Sequence, residues 1–308
     1  MSDYHERYCA FLRGAAKNLK PLKLGVDCSN GMASLFAREV FPGALVINDV
    51  IDGHFPAHSP NPLKAEAREQ MATMVKDKGL DCGVIFDGDA DRAMFLDERG
   101  EFVQPDYLIP IVARAMRRVG GESASRIVLH DVRTSRGAIE TLREDGFEPV
   151  MVPVGHAFAK PKMRELKALC GGELAGHYYF GDFFGCDSGF LAAIRVLTEY
   201  ERWKEGTDCG SKGFSGMMRP IVSRYANSGE LNFRVEDKDA AIDRVMALAG
   251  KELPRPISVS DLDGLRVEFE DGWFNIRKSN TEPYLRLIVE ARTAELLEAW
   301  LRIASSRI

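Results

Sequence analysis

Apolar residues fall in short blocks separated by polar turns, and two of these stretches look alike. "LKLGVDCSNGMASLFAREVF" (22–41) opens on an apolar strand, turns at Gly31 and continues as a helix. "RIVLHDVRTSRGAIETLREDGF" (126–147) repeats the order, with a turn ending in Gly137, and a second strand "PVMVP" follows. Strands alternating with helices predict βαβ units and a parallel sheet. Two such units about a hundred residues apart predict two similar mixed α/β domains rather than one large sheet.

The first of these runs over 1–104 and includes "CGVIF" (82–86), an apolar run suited to a buried parallel strand. The second, 105–207, opens with the helix "PDYLIPIVARAMRRVGG", where Pro105 suits the first turn, and closes with "SGFLAAIRVLTEYERW". The pattern then changes. "LRVEFEDGWFNIRKS" alternates apolar and polar residues around Asp271-Gly272, a hairpin turn signal. A strand, "YLRLIVEA", and a helix, "TAELLEAWLRIA", complete a smaller α+β domain with an antiparallel sheet over 208–308. "DCGSKGFSG" (208–216) reads as the linker before it, and a hinge is expected near 205–213.

At 308 residues the chain suits two or three domains. Its net charge of −5 and scattered basic residues speak against a nucleic-acid surface. No apolar run reaches the length of a bilayer span, and "MSDYHERYCA" does not have the form of a secretory signal. The six cysteines (Cys9, Cys28, Cys82, Cys170, Cys186, Cys209) form no CxxC pair, which predicts free thiols in a reducing cytoplasm.

The chemistry concentrates in three loops. "DGDADR" follows the strand "CGVIF", placing Asp87, Asp89, Asp91 and Arg92 at the carboxyl end of a strand, where open α/β sheets bind ligands. The three aspartates match the first ligand positions of an EF-hand, with Glu98 at the last. However, Arg92 stands where that loop needs glycine, and the flanks are strands. Aspartates also crowd solvated turns. Hard oxygen ligands suit Mg²⁺, which keeps room for a phosphate oxygen, and Arg92 suits a phosphate or a neighbouring carboxylate. The second loop, "GGELAGHYYFGDFFGCDSG" (171–189), offers Glu173 and His177, a carboxylate and an imidazole able to meet sugar hydroxyls. A packed, hydrogen-bonded histidine explains His177 equally well. The third, "IRKSNTEPYLR" (276–286), gathers Arg277, Ser279, Asn280 and Thr281, a cradle for phosphate or an ordinary turn. "AHSPNP" (57–62) reads as structural, because Pro60 and Pro62 hold it extended.

Taken in this order, "DGDADR", "GGELAGHYYF" and "RKSNTEP" resemble the α-D-phosphohexomutases, in particular the bacterial phosphomannomutase/phosphoglucomutase branch. "VGHAFAK" (154–160) and "YYFGDFF" (178–184) extend the likeness across the chain. The resemblance implies an isomerase that interconverts hexose 1-phosphate and hexose 6-phosphate, of mannose or glucose, through a hexose 1,6-bisphosphate. It implies Mg²⁺ on Asp87, Asp89 and Asp91, and Arg92 and His177 as catalytic groups. It also implies that Glu173 and His177 hold the sugar, and that Arg277, Ser279, Asn280 and Thr281 hold the non-reacting phosphate. Lys160 is a further candidate.

Two departures accompany it. The family's nucleophile is a phosphoserine on a loop close to T-A-S-H-N-P in a preceding domain, and no such loop occurs here. The expectation is therefore a chain without its N-terminal nucleophile domain and inactive alone. Ala175 stands where the family often has serine. The rival readings are a Mg²⁺-dependent sugar phosphatase and a non-catalytic hexose-phosphate-binding module.

Overall fold

The computed structural model describes residues 3–121, 123–206, 213–279 and 283–308. The first unit contains α1 (Asp3–Ala16), β1 (Leu24–Asp27), α2 (Ala37–Val40), β2 (Leu45–Ile47), α3 (Glu69–Lys78), β3 (Cys82–Phe86), β4 (Ala93–Leu96) and β5 (Phe102–Val103). Its sheet has the order β2-β1-β3-β4-β5. β1 lies parallel to β2 and β3, but β3–β4 and β4–β5 are antiparallel. The expected parallel sheet is therefore only half realised. Residues 87–92 are too few for a crossover, so β4 must return beside β3 as a hairpin.

The second unit follows the same plan. It contains α4 (Ile109–Gly120), β6 (Ile127–Asp131), α5 (Arg136–Glu144), β7 (Glu148–Val152), α6 (His156–Glu165), β8 (Cys170–Gly172), β9 (Tyr178–Phe180), β10 (Cys186–Asp187) and α7 (Gly189–Gly206). β6 is parallel to β7 and β8, and β9 returns antiparallel to β8. The aspartate loop (87–92) and the Glu173–His177 loop are thus equivalent hairpins in two related sheets.

Next come α8 (Phe214–Val222), β11 (Ala226–Asn227), β12 (Leu231–Phe233), α9 (Lys238–Met246), β13 (Ser258–Ser260), β14 (Leu265–Phe269), β15 (Gly272–Lys278), β16 (Leu285–Ala291) and α10 (Ala294–Ser305). The strands form an antiparallel sheet, β11-β16-β15-β14-β13, with β12 also on β16. The β14–β15 turn is Glu270-Asp271, one residue earlier than expected, because Gly272 pairs as a strand residue with both Phe269 and Ala291.

The packing groups these elements differently from the sheets. A single apolar cluster runs from Leu12 to Ile221 and includes β1, β3, α4, α7 and α8. Phe190 of α7 stacks on Phe86 at 4.4 Å, directly beneath the aspartate loop. The last sheet has its own cluster, with Phe269, Phe274, Leu287 and Trp300. The described part of the expected linker, 213–216, belongs to the first cluster. Phe214 is fully buried and stacks 5.7 Å from Phe95, and Ser215 N donates to Glu98 Oε2 at 2.9 Å. Glycines and serines suggest a linker, but Phe214, Met217, Met218 and Ile221 supply a buried helix face. Residues 207–212, the bulk of the expected hinge, lie outside the described residues. The five described cysteines are free thiols.

Candidate active site

β3 is buried at every position and delivers Asp87 at its carboxyl end. Asp87 is 1% exposed, and both its oxygens face Arg92: Arg92 N donates to Oδ1 at 3.1 Å and Arg92 Nε to Oδ2 at 2.5 Å. Burial pushes the Asp87 carboxyl up to about 6, against the pull of Arg92. Burial and neighbouring carboxylates also raise Asp91, while Asp89 is exposed. One oxygen from each of Asp87, Asp89 and Asp91 lies within 4.8 Å of the others. Three close, hard oxygen donors, two of them holding protons more tightly than usual, fit a divalent cation such as Mg²⁺.

The supports of this loop come from both neighbours. Met32 N donates to Gly88 O at 2.9 Å, and Gly31 packs so closely that an added Cβ would stand 2.3 Å from that oxygen. From the second unit, Gly189 at the start of α7 lies under the loop, where a Cβ would be 2.7 Å from Arg92 O and 2.8 Å from Ala90 O. "AHSPNP" also contributes. His58 Nε2 lies 2.9 Å from Asp27 Oδ2 in a buried pair, and Ser29, held by Asp27 Oδ1, donates through Oγ to Phe86 O at 2.5 Å. Asn61 Oδ1 stands 3.5 Å from Arg92 Nη1.

The second hairpin closes through Glu173 N to His177 O at 3.0 Å, so the two predicted residues are cross-strand partners. Glu173 is 1% exposed and accepts a 2.5 Å bond from Tyr179 Oη. Burial, with Asp131 nearby, raises its carboxyl above the ordinary range. His177 Nδ1 lies 3.1 Å from Asp187 Oδ2 and 3.5 Å from Asp91 Oδ1. Burial works against the imidazolium, but Asp187, Asp91 and Glu173 outweigh it and raise the ring above its usual value. Lys160 Nζ reaches Asp187 Oδ1 at 2.8 Å. Although burial opposes it, His177 and Lys160 hold Asp187 down to about 2. The two hairpins touch directly, with Arg92 bridged to His177 and Ala93 N donating to Gly176 O at 3.2 Å. Ala175 sits half-buried in the second hairpin.

The third loop joins through charges. Arg277, 2% exposed, donates to Glu230 Oε1 at 3.2 Å. Glu230 also accepts Arg286 Nη1 at 3.2 Å and, from the second unit, Arg133 Nη1 at 3.3 Å. Burial works against ionised Glu230, but the three guanidiniums hold its carboxyl below the usual range. Arg133 in turn clamps Asp131, whose Oδ2 accepts Leu174 N at 3.1 Å beside Glu173. Ser279 N donates to Tyr284 O at 2.9 Å, while Asn280 and Thr281 lie outside the described residues. A line of polar contacts runs from Asp91 to His177, through the backbone of the second hairpin (Glu173 N to His177 O, Leu174 N to Asp131 Oδ2), and on to Arg133, Glu230 and Arg277. Sequence reasoning missed Asp131, Arg133, Asp187 and Glu230. "DVRTSR" reads only as a turn, and the partners of Arg133 are far away in the chain.

Two related α/β units with matched hairpins, joined to an antiparallel α+β unit by buried arginines, define a class of three-unit fold with converging polar loops. Sequence models of the phosphoglucomutase/phosphomannomutase family match it unit by unit. Alpha/beta/alpha domain II covers 3–100, alpha/beta/alpha domain III covers 104–208, and the C-terminal domain covers 230–302. The chain belongs to this family of enzymes, the α-D-phosphohexomutases. It is 37% identical over 287 residues to a protein of Xanthomonas campestris pv. campestris named phosphohexose mutases, covering 91% of this chain and 61% of that one. A Burkholderia thailandensis phosphoglucomutase/phosphomannomutase family protein superposes with a TM-score of 0.81 at 28% identity, over 99% of this chain and 65% of that one. Aspergillus fumigatus N-acetylphosphoglucosamine mutase, solved with GlcNAc-6P and magnesium, shares the fold at 16% identity and TM-score 0.70, over 98% of this chain and 70% of that one. The chain spans about three fifths of the length of the curated relatives it matches.

Proposed function

We propose that residues 1–308 form the metal-holding and phosphosugar-binding part of a hexose phosphate mutase, acting on mannose or glucose phosphates through a hexose 1,6-bisphosphate. The boundaries at 104/105 and 207/208 divide it into a metal unit, a sugar unit and a phosphate unit. The observation that carries this reading is the line of polar contacts, partly through backbone, that links all three loops.

In this reading Asp87, Asp89 and Asp91 hold Mg²⁺, which supplies charge neutralisation to a phosphoryl group in transfer. Arg92 fixes Asp87 and presents its remaining N–H groups to the same phosphate. His177 has Nδ1 committed to Asp187, which leaves Nε2 to exchange a proton with a sugar hydroxyl. Glu173 fixes the hairpin that carries that ring. Arg277 and Ser279, with Asn280 and Thr281, grip the far phosphate, so that binding energy at one end orients the other. In this reading the phosphoserine is supplied by a residue outside these 308. Direct hydrolysis is disfavoured, since buried Asp87 is tied at both oxygens by Arg92 and is a poor nucleophile.

The test pairs calorimetric titration of mannose 1-phosphate and glucose 1-phosphate, in Mg²⁺, with a coupled mutase assay containing hexose 1,6-bisphosphate. Saturable binding is expected, weakened at least tenfold by Arg277→Ala, without turnover. Absence of binding overturns the reading. Turnover that disappears in Asp89→Ala places the phosphoryl-accepting group within this chain instead.

A further inference from the structure

Away from the three loops, α1 carries His5 and Cys9 one turn apart on the same face, and α2 directs Glu39 towards them. The three ligand atoms lie within 4.8 Å of one another. His5 Nε2 is 3.5 Å from Cys9 Sγ and 3.6 Å from Glu39 Oε1. A tetrahedral zinc ion, with bonds of about 2.3 Å to sulfur and about 2.1 Å to nitrogen or oxygen, sets its ligands about 3.4–3.6 Å apart. The two separations from His5 match edges of that tetrahedron, and Cys9 Sγ and a Glu39 oxygen lie within 4.8 Å of each other.

Two further features hold the ligands in place. The His5 ring stacks on Phe36 with centroids 5.1 Å apart, which fixes its plane. Arg13 Nη1 holds Glu39 Oε2 at 2.6 Å, leaving Oε1 towards His5, as outer partners orient metal-binding carboxylates. Side-chain exposure of 13% for His5 and 43% for Glu39 gives a path from solvent and room for a water as fourth ligand.

We propose that His5, Cys9 and Glu39 form a site for Zn²⁺ or a similar borderline-soft divalent ion, separate from the hard oxygen loop that suits Mg²⁺. Binding exchanges the Cys9 thiol proton for the metal, so one proton is released to buffer per ion bound. The site clips α1 to α2. The same helix reaches the second unit, with Phe11 stacked on Phe183 at 5.3 Å and Tyr8 Oη 3.3 Å from Ser188 Oγ. A bound ion therefore fastens a strap that crosses both α/β units.

The test is Co²⁺ titration of the chelator-treated chain, followed by near-ultraviolet absorption, with Zn²⁺ as competitor. One equivalent should give a thiolate-to-cobalt charge-transfer band that Zn²⁺ removes, together with a higher Tm. Cys9→Ser should abolish the band, and His5→Gln should weaken Co²⁺ binding at least tenfold. Asp89→Asn should leave the band intact, which keeps this outcome apart from that of the Mg²⁺ loop. His5 is partly exposed, so His5→Gln decides the matter if Cys9→Ser fails to fold. A missing band, or one unchanged in His5→Gln, overturns the site.

Discussion

Single residues set the strain and the charge of this molecule. Ala90, at the centre of the aspartate loop, has φ of 63°, a left-handed backbone that side chains other than glycine disfavour. Ala90→Gly should relieve more strain than it adds in unfolded-state entropy, raising stability by roughly 0.5–1 kcal/mol in urea denaturation. An unchanged midpoint would show that the loop's contacts absorb the strain. Asp106 makes a different case. It is fully buried, accepts Ser135 N and Gln104 Nε2 at 2.8 Å, and burial pushes it from 3.8 to about 7. Between those values the folded chain keeps a proton that the unfolded chain releases. The stabilising contribution therefore falls as pH rises towards 7 and levels off above it. Asp106→Asn, which retains an acceptor for Ser135 N, should gain about 2 kcal/mol on the parent between pH 5 and pH 7.5. A constant difference between the two proteins across that range would refute the argument.

Among the elements, the loops matter less than what presses on them. Gly31 lies against Gly88 O with no room for a methyl group. Gly31→Ala should push the aspartate loop outward, costing about 1–3 kcal/mol of stability and weakening Mg²⁺ binding in the same preparation. Equal Mg²⁺ affinity in the two proteins would mean that the loop keeps its shape unaided. The elements were legible in the sequence where their signals are local. β3 and its aspartates, the α5 repeat and the β14–β15 hairpin can all be read from a few consecutive residues. The antiparallel returns β4 and β9 were not legible, because only the shortness of the two connecting loops dictates them. "DCGSKGFSG" misled because its glycines and serines are local, while the pockets that bury Phe214 come from β4 and α7. In the site, the aspartates, His177 and Arg277 could be named from motifs. Glu230 could not, since it meets Arg133 across 97 positions of sequence and neither residue stands in a recognisable pattern.

At the scale of the molecule there are three sheets, and the two largest apolar clusters among the described residues do not follow them one to one. The apolar cluster from Leu12 to Ile221 passes through both α/β units and α8, and the last sheet keeps its own. Charged contacts and one small apolar cluster fasten the second body to the first: Arg133 pairs with Glu230 and Arg136 with Glu268, Arg266 Nη1 donates to Val132 O and Thr134 O, and Leu174 packs with Trp273 and Ile288. Scanning calorimetry should resolve two unfolding transitions, the larger from the shared core, moving closer together in low salt as these charged contacts strengthen. Three transitions would mean that the α/β units separate before they melt. The shared core also bears on how such a chain could be assembled or exchanged between genes. A recombination breakpoint near 104 would sever α7 from Phe86 and α8 from Phe95, and leave two half-cores that each demand their old neighbour. A breakpoint just after α8 would cut mainly polar contacts and the small Leu174–Trp273–Ile288 cluster, so grafting should do better there than at the boundary that the sheets suggest.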